Sequence, residues 1–383
     1  MNRRLIRIVI SGFVLALVLA ACGGAPKPQL KQSDFSTSIS DFTQNTMGVA
    51  AEATQDLALM ALQDLSSKST LGQSLTAATM KLASLSQRGS VSVSEVSNLI
   101  QSIIPSYSTL PRKKYTWDST NSEWQEVSTD TGDHLIFTWT FEDEDSNSHN
   151  AVLDIDWAHG SPTKNVTSQN GQQVEVPQHA YVSLTVDGNL GGSLDGQFAW
   201  YSGSCGTIME PTEVNISVHV GSSSTLDVEF HYKVESSSMF TSGSIMLKSG
   251  SDQASVGWEM QANGTITRGD DCFIKEFDVS DGHVKLTASS TSNGDTQSLE
   301  FYTNFAINYD DEGNMESIGL SNGYLTLNHQ VACTFEGTLD DENGNGIPGE
   351  NVTVHFADGD TTLEQVLQDN GFNGFGNSLS GSF

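Results

Sequence analysis

The residues best spaced for chemistry lie in the run Asp341-Glu342-Asn343-Gly344-Asn345-Gly346-Ile347-Pro348-Gly349-Glu350. Asp341, Asn343, Asn345 and Gly346 fit the first half of a calcium loop, Asp-x-Asn-x-Asn-Gly. Side-chain oxygens at alternate positions converge on one hard cation, and glycine at the sixth position permits the sharp turn. Position twelve is Val352, where an EF-hand places a bidentate glutamate. Asp341 and Glu350 are then the available charges, and affinity should be weak. A plain Asn/Gly hairpin turn before Val352, Val354 and Phe356 accounts for the same residues.

Paired carboxylates are the next candidate. Asp154 and Asp156 alternate with Leu153 and Ile155, so on a strand both point to one face about 6.6 Å apart. That is near the separation glycosidases use, although neighbouring acids on a solvated strand face are also what so acidic a chain produces. His219 and His231 fall on polar strand faces, as solvent-facing rather than ligating residues. Glu142-Asp143-Glu144-Asp145 reads as a solvated loop. Ser202-Gly203-Ser204-Cys205-Gly206 misses the nucleophile-elbow pattern by having serine where its first glycine belongs. No H-E-x-x-H or GxxxxGK[ST] phosphate-binding loop is present, and no catalytic residue is assigned.

Composition bounds the partners. The 383 residues hold 17 Lys+Arg against 47 Asp+Glu, a net charge of −30. Nucleic acid is excluded as a partner, because its binding rests on Lys and Arg at phosphates. Of four cysteines, three lie beyond the N-terminal leader: Cys205, Cys272 and Cys333. Cys205 sits in a Gly/Ser-rich stretch and Cys272 after the turn-like Arg268-Gly269-Asp270-Asp271. Cys333 lies on the apolar side of Val331, Cys333 and Phe335. These contexts favour a Cys205–Cys272 disulfide and a buried Cys333 thiol, with the other two pairings open.

The elements that must carry these residues follow from periodicity. From residue 33 to 110 the pattern is helical: Leu71, Leu75, Ala78, Leu82 and Leu85 form one stripe, and Val49, Ala53, Leu57, Met60 and Ala61 a second. A third runs from Ser92 and Glu95, in capping-box spacing, to Ile103. From 111 to 369 the period is two, as in Leu135, Phe137, Trp139 and Phe141, or Leu226, Val228, Phe230, Tyr232 and Val234. Asp187-Gly188, Asn263-Gly264, Asp281-Gly282, Asn293-Gly294 and Asn322-Gly323 supply hairpin turns. The expected fold is mainly β with an N-terminal α-helical segment. Its β domain is a large antiparallel meander, closed as a barrel, a half-barrel or a sandwich. Thr361 and Glu364 suggest a short terminal helix, and 370–383 a frayed tail. The polar strand faces carry charges with no lipid-facing band, which argues against a membrane-spanning barrel.

The leader carries the strongest signal. Arg3, Arg4 and Arg7 precede an apolar run that ends Leu19-Ala20-Ala21-Cys22. The run is short for a spanning helix. It resembles the bacterial lipoprotein signal. That resemblance implies a signal peptide over 1–21, acylation of Cys22 and, with Gly23 following, the outer membrane in a diderm cell. Residues 22–32 then form a tether. The 341–350 loop is similar to calcium loops of bacterial surface modules, which implies ligation by the Asp341, Asn343 and Asn345 side chains and the Ile347 carbonyl. Tyr309-Asp310-Asp311-Glu312-Gly313-Asn314 resembles one unit of the tyrosine–aspartate repeats of surface proteins, and a hairpin turn accounts for it equally.

The expected function is a membrane-anchored, non-catalytic binding or structural module of the cell envelope, with no cofactor unless calcium. Its partners are the membrane, through the lipid, and an envelope protein or apolar ligand. The alternatives are a carrier of lipid in a half-barrel and a carboxylate-dependent hydrolase.

Overall fold

A computed structural model describes residues 28–32, 57–68, 112–128, 131–143, 145–221, 224–292, 294–309, 315–339 and 348–369. The protein is mainly β. Helix α1 (Leu57–Lys68) precedes the strands and α2 (Leu363–Asp369) follows them. The other stripes of the 33–110 segment, the leader with Cys22, and the 370–383 tail lie outside the described residues.

The first strands are β1 (Lys114–Asp118), β2 (Glu123–Ser128), β3 (His134–Glu142), β4 (Ser148–Asp156), β5 (Lys164–Thr167), β6 (Gln173–Val176) and β7 (His179–Val186). Long hairpins follow: β8 (Asn189–Gly203) with β9 (Gly206–Val220), β10 (Ser224–Val234) with β11 (Ser238–Ser249), and β12 (Asp252–Arg268) with β13 (Ile274–Ser292). The last are β14 (Asp295–Tyr309), β15 (Met315–Leu327), β16 (Gln330–Leu339), β17 (Val352–Phe356) and β18 (Gly359–Thr362). Period-two patterning explains them. In β3, Leu135, Phe137, Trp139 and Phe141 are all buried while the residues between them keep contact with solvent, as expected of a sheet with one wet face.

Pairing runs in one ladder, β2-β1-β3-β4-β7-β8-β9 and onward by neighbours to β18. It departs from a pure antiparallel meander at two places. β1 lies parallel to β3, and the β5–β6 hairpin touches β9 through one parallel pair, Thr167 with Ile208.

The closed barrel is not formed; the sheet is open. Among the described residues no pairing joins β2 to β18, and packing explains why. Trp124 of β2 packs on one hydrophobic core, whereas Leu363, Val366 and Leu367 of the helix after β18 belong to another. A barrel requires its first and last strands to meet with matched stagger, and here they serve different cores.

The first core joins β3–β11 with Ala61 and Leu65 of α1; the second joins β14–β17, α2 and Leu30. The β12–β13 hairpin spans both. Trp258, Ile266, Ile274 and Phe277 pack on the first core, and Val256, Val284, Leu286 and Ala288 on the second. At two strand glycines an aromatic ring takes the place of a side chain. A Cβ on Gly243 would lie 2.2 Å from the Trp258 ring, and one on Gly323 2.6 Å from that of Phe335.

Two local expectations are revised. α2 is capped by Thr362, whose Oγ1 accepts from Gln365 N at 3.2 Å, while the Gln365 side chain turns to Asp369, so the cap lies one residue beyond Thr361 and no reciprocal box forms. Residues 28–32, read as tether, are docked. Gln29 N donates to Val331 O at 2.8 Å, Ala357 N to Leu30 O at 3.0 Å, and Gln32 Nε2 to Asp369 Oδ2 at 2.8 Å.

Candidate functional site

The apolar face of the ladder is filled by the two cores, so recognition chemistry falls to the polar face. Strand register sets the polar residues in rows. One row crosses Tyr181, Asp195, Ser217, Glu229 and Ser244; the next crosses His179, Gln197, Asn215, His231 and Ser242. Steps along a row are about 4.8 Å. Where the serines fall, the short side chains leave a depression of 360 Å³ across β8–β11, within the usual size range of ligand sites.

Its rim is partly held. Asp195 Oδ2 meets His179 Nε2 at 3.0 Å, and Asn215 Nδ2 donates to Glu213 Oε1 at 3.1 Å. His231 Nε2 stands 3.7 Å from Glu213 Oε1, beyond hydrogen-bond reach, and its ring leans on Phe240. Beside Asp195, Tyr181 is stacked by His159 at 4.8 Å. Sequence patterning marks His231 only as solvent-facing and carries no sign of the groove. The groove depends on which two hairpins lie side by side.

Elsewhere on the polar face the side chains satisfy one another. His219 Nδ1 meets Asp227 Oδ1 at 2.5 Å, His283 meets Glu259 at 3.0 Å, and Lys285 Nζ lies 3.1 Å from Glu300. Tyr324 Oη donates to Glu300 Oε1 at 2.7 Å. Burial, reinforced by that carboxylate, pushes the Tyr324 phenol up to about 12.

The paired acids are not combined into one site. Asp154 Oδ1 meets His134 Nδ1 at 2.8 Å, whereas Asp156 Oδ2 meets His159 Nδ1 at 2.9 Å and its other oxygen accepts from Ala158 N. The hydrogen bond to Asp154 raises the His134 pKa. In the acidic loop, Asp143 accepts from the side chain and backbone of Asn147, from Asp145 N and from His149. Those bonds, led by Asn147, bring its carboxyl down to about 2. His149 bridges Asp187 at 2.7 Å and Asp143 at 3.1 Å, and its pKa is raised by both. Glu144 lies outside the described residues.

Of the calcium-loop residues, Asp341, Asn343, Asn345, Gly346 and Ile347 lie outside the described residues. Glu350 forms the turn into β17, and Val352 is fully buried in the second core. Position twelve therefore faces the core. Among the described residues no group of three or more His, Cys, Asp or Glu is placed to hold a metal ion.

Cys205 and Cys272 form a disulfide with Cα atoms 6.1 Å apart, and Cys333 is a fully buried thiol. The bond closes an arch. β9 and β12 extend past the β10–β11 turn, because their pairing with β10 and β11 stops at Glu213 and Asn263. In a flat sheet β9 and β12 would be about 14 Å apart; here their ends lean together over the turn. Glu210 holds them, accepting from Arg268 Nη1 at 2.6 Å and from Ile274 N at 2.7 Å. Arg268 also donates to Cys272 O at 2.7 Å and lies 3.7 Å from the Tyr201 ring centre.

Comparison of the chain with protein-family models, with characterised proteins and with solved structures gives no match.

Proposed function

We propose that this chain is a membrane-anchored lipoprotein of the cell envelope, whose acidic sheet is a non-catalytic binding module presenting its polar face. The observation that carries the reading is the short path from Cys22 to the sheet. Gln29 is already hydrogen-bonded to Val331, and the seven steps from Cys22 to Gln29 reach at most roughly 25 Å. Acylation at Cys22 would hold the second core beside the bilayer and leave the polar face of β8–β11 farther along the ladder. Two or more acyl chains, at about 0.8 kcal/mol per buried methylene, make such an anchor stable.

Two features favour a binding module over the alternatives. Asp154 and Asp156 are each held by a different histidine, which suits structural pairs better than a hydrolase. The apolar face carries large buried side chains, among them Trp139, Leu135, Leu153 and Ile155, which suits a filled core better than a lipid carrier. The role needs no resident cofactor. Calcium at Asp341, Asn343, Asn345, Ile347 and Glu350 would be a weak accessory ligand. Its check is the melting temperature in chelator and in millimolar calcium, for the natural chain and for Asp341→Ala.

The anchor is tested by labelling cells with radioactive palmitate. The natural chain should carry label and partition with detergent, and Cys22→Ser should do neither. An unlabelled natural chain overturns the reading.

A further inference from the structure

We infer that the groove across β8–β11 takes a neutral, hydroxyl-rich chain, an oligosaccharide or polysaccharide, laid along the strand-to-strand direction. The inference rests on the sheet being a binding module, and not on the anchor.

The groove differs from the rest of the polar face in its unused hydrogen-bonding capacity. Glu229, Ser217, Ser242 and Ser244 line it, and their side chains make no hydrogen bond to other described residues. In flanking rows the comparable groups pair with each other: His219 with Asp227, Ser255 with Ser289, and His283 with Glu259. A polar surface that does not satisfy itself can exchange water for ligand groups without breaking protein bonds.

The lining chooses the ligand. Asp195 and Glu229 repel anions, and no Lys or Arg lines the groove to offset them. A single cation is a poor fit. Among the described residues no group of three or more His, Cys, Asp or Glu is placed to hold one. Hydroxyl groups fit, because each both donates and accepts. They can donate to the carboxylates and pair in both senses with Ser217, Ser242, Ser244 and the amides of Gln197 and Asn215. At the end of the Asp195 row, Tyr181, backed by His159, offers a ring on which the C–H face of a pyranose can stack. The row repeats polar groups about every 4.8 Å, close to the advance of one ring in a linear glycan.

The test is titration calorimetry on the full chain in detergent, with cellohexaose, chitohexaose, maltohexaose and polylysine as probes. At least one of the saccharides should bind with micromolar-to-millimolar affinity. Ser217→Trp, a large residue on an exposed strand position, should abolish that binding, and Glu229→Gln or Asn215→Ala should weaken it about tenfold. Thr353→Trp, exposed on β17 outside the groove, should leave it unchanged. Unchanged melting temperatures show that each variant is folded. Binding by none of the three saccharides overturns the inference. So does saccharide binding that survives Ser217→Trp, or binding of polylysine alone, which would mark the face as a dock for a basic protein. Cys22→Ser should bind saccharide as the natural chain does, so failure of the anchor and failure of the groove are read separately.

Discussion

Glu210 and Arg268 meet at 2.6 Å beneath the arch that joins the β8–β9 and β12–β13 hairpins. The Glu210 side chain is only 5% exposed and that of Arg268 22%. A carboxylate at that depth is tolerable because the guanidinium and the Ile274 amide both serve it.

Removing one partner should therefore cost more than the pair contributes. Arg268→Ala leaves Glu210 charged and buried, and breaking a buried pair costs about 3–5 kcal/mol. Urea unfolding should show a loss in that range, and a loss below about 1 kcal/mol would mean the pair is open to water. Arg268→Lys should recover part of it, since lysine keeps the charge but loses the planar fork.

The disulfide closes a loop with a sequence separation of 67 residues. Constraint of the unfolded chain by a loop of that size is worth roughly 4 kcal/mol, with typical measured values of about 2–4. The Cys205→Ala, Cys272→Ala double variant should lose about that much unfolding free energy in a urea titration. Melting of the natural chain should also fall on adding a reductant. Insensitivity to reductant would show that the arch stands on Glu210 and Arg268 alone.

Tyr232 lies in the first core with its hydroxyl buried and without a hydrogen-bond partner among the described residues. Burial raises its phenol pKa. A buried polar group in that state costs about 1–3 kcal/mol, so Tyr232→Phe should leave stability unchanged or raise it by up to about 1 kcal/mol. A clear destabilisation would reveal a buried water bonded to that hydroxyl.

The His149 bridge makes a pH-dependent contribution of known sign. Asp187 and Asp143 raise the histidine pKa above its usual value of about 6.5. The stabilisation is thus complete below about 6.5 and fades as pH rises through the folded value. Asp143, held at about 2, contributes above its ordinary value near 4 and loses this as pH falls toward 2. The melting-temperature gap between the natural chain and His149→Gln should be widest near pH 5–6 and narrow above neutrality. A gap independent of pH would reduce the bridge to neutral hydrogen bonds.

How much was readable in the residues varies with the range of the interaction. Alternation in Leu135, Phe137, Trp139 and Phe141 places a strand and its buried face, because side chains on a strand point to opposite sides in turn. Asp187-Gly188 makes the β7–β8 turn, with residue 187 at positive φ, whereas Asn263-Gly264, Asp281-Gly282 and Asn322-Gly323, expected as hairpin turns, fall inside β12, β13 and β15, where the first and last mark register shifts that bulge the strand. The contexts of Cys205 and Cys272 suggest a pair, but not the overhanging strand ends that bring them together.

Local stereochemistry and net charge thus determine from the residues alone that the chain is a β-rich, strongly acidic sheet former, with a leader resembling a lipoprotein signal. Tertiary structure alone decides that the ladder stays open, since its two ends serve different cores. It alone places Ser217, Glu229 and Ser244, far apart in the chain, along one groove. Period-two patterning is blind to register between strands, and a groove is made of register.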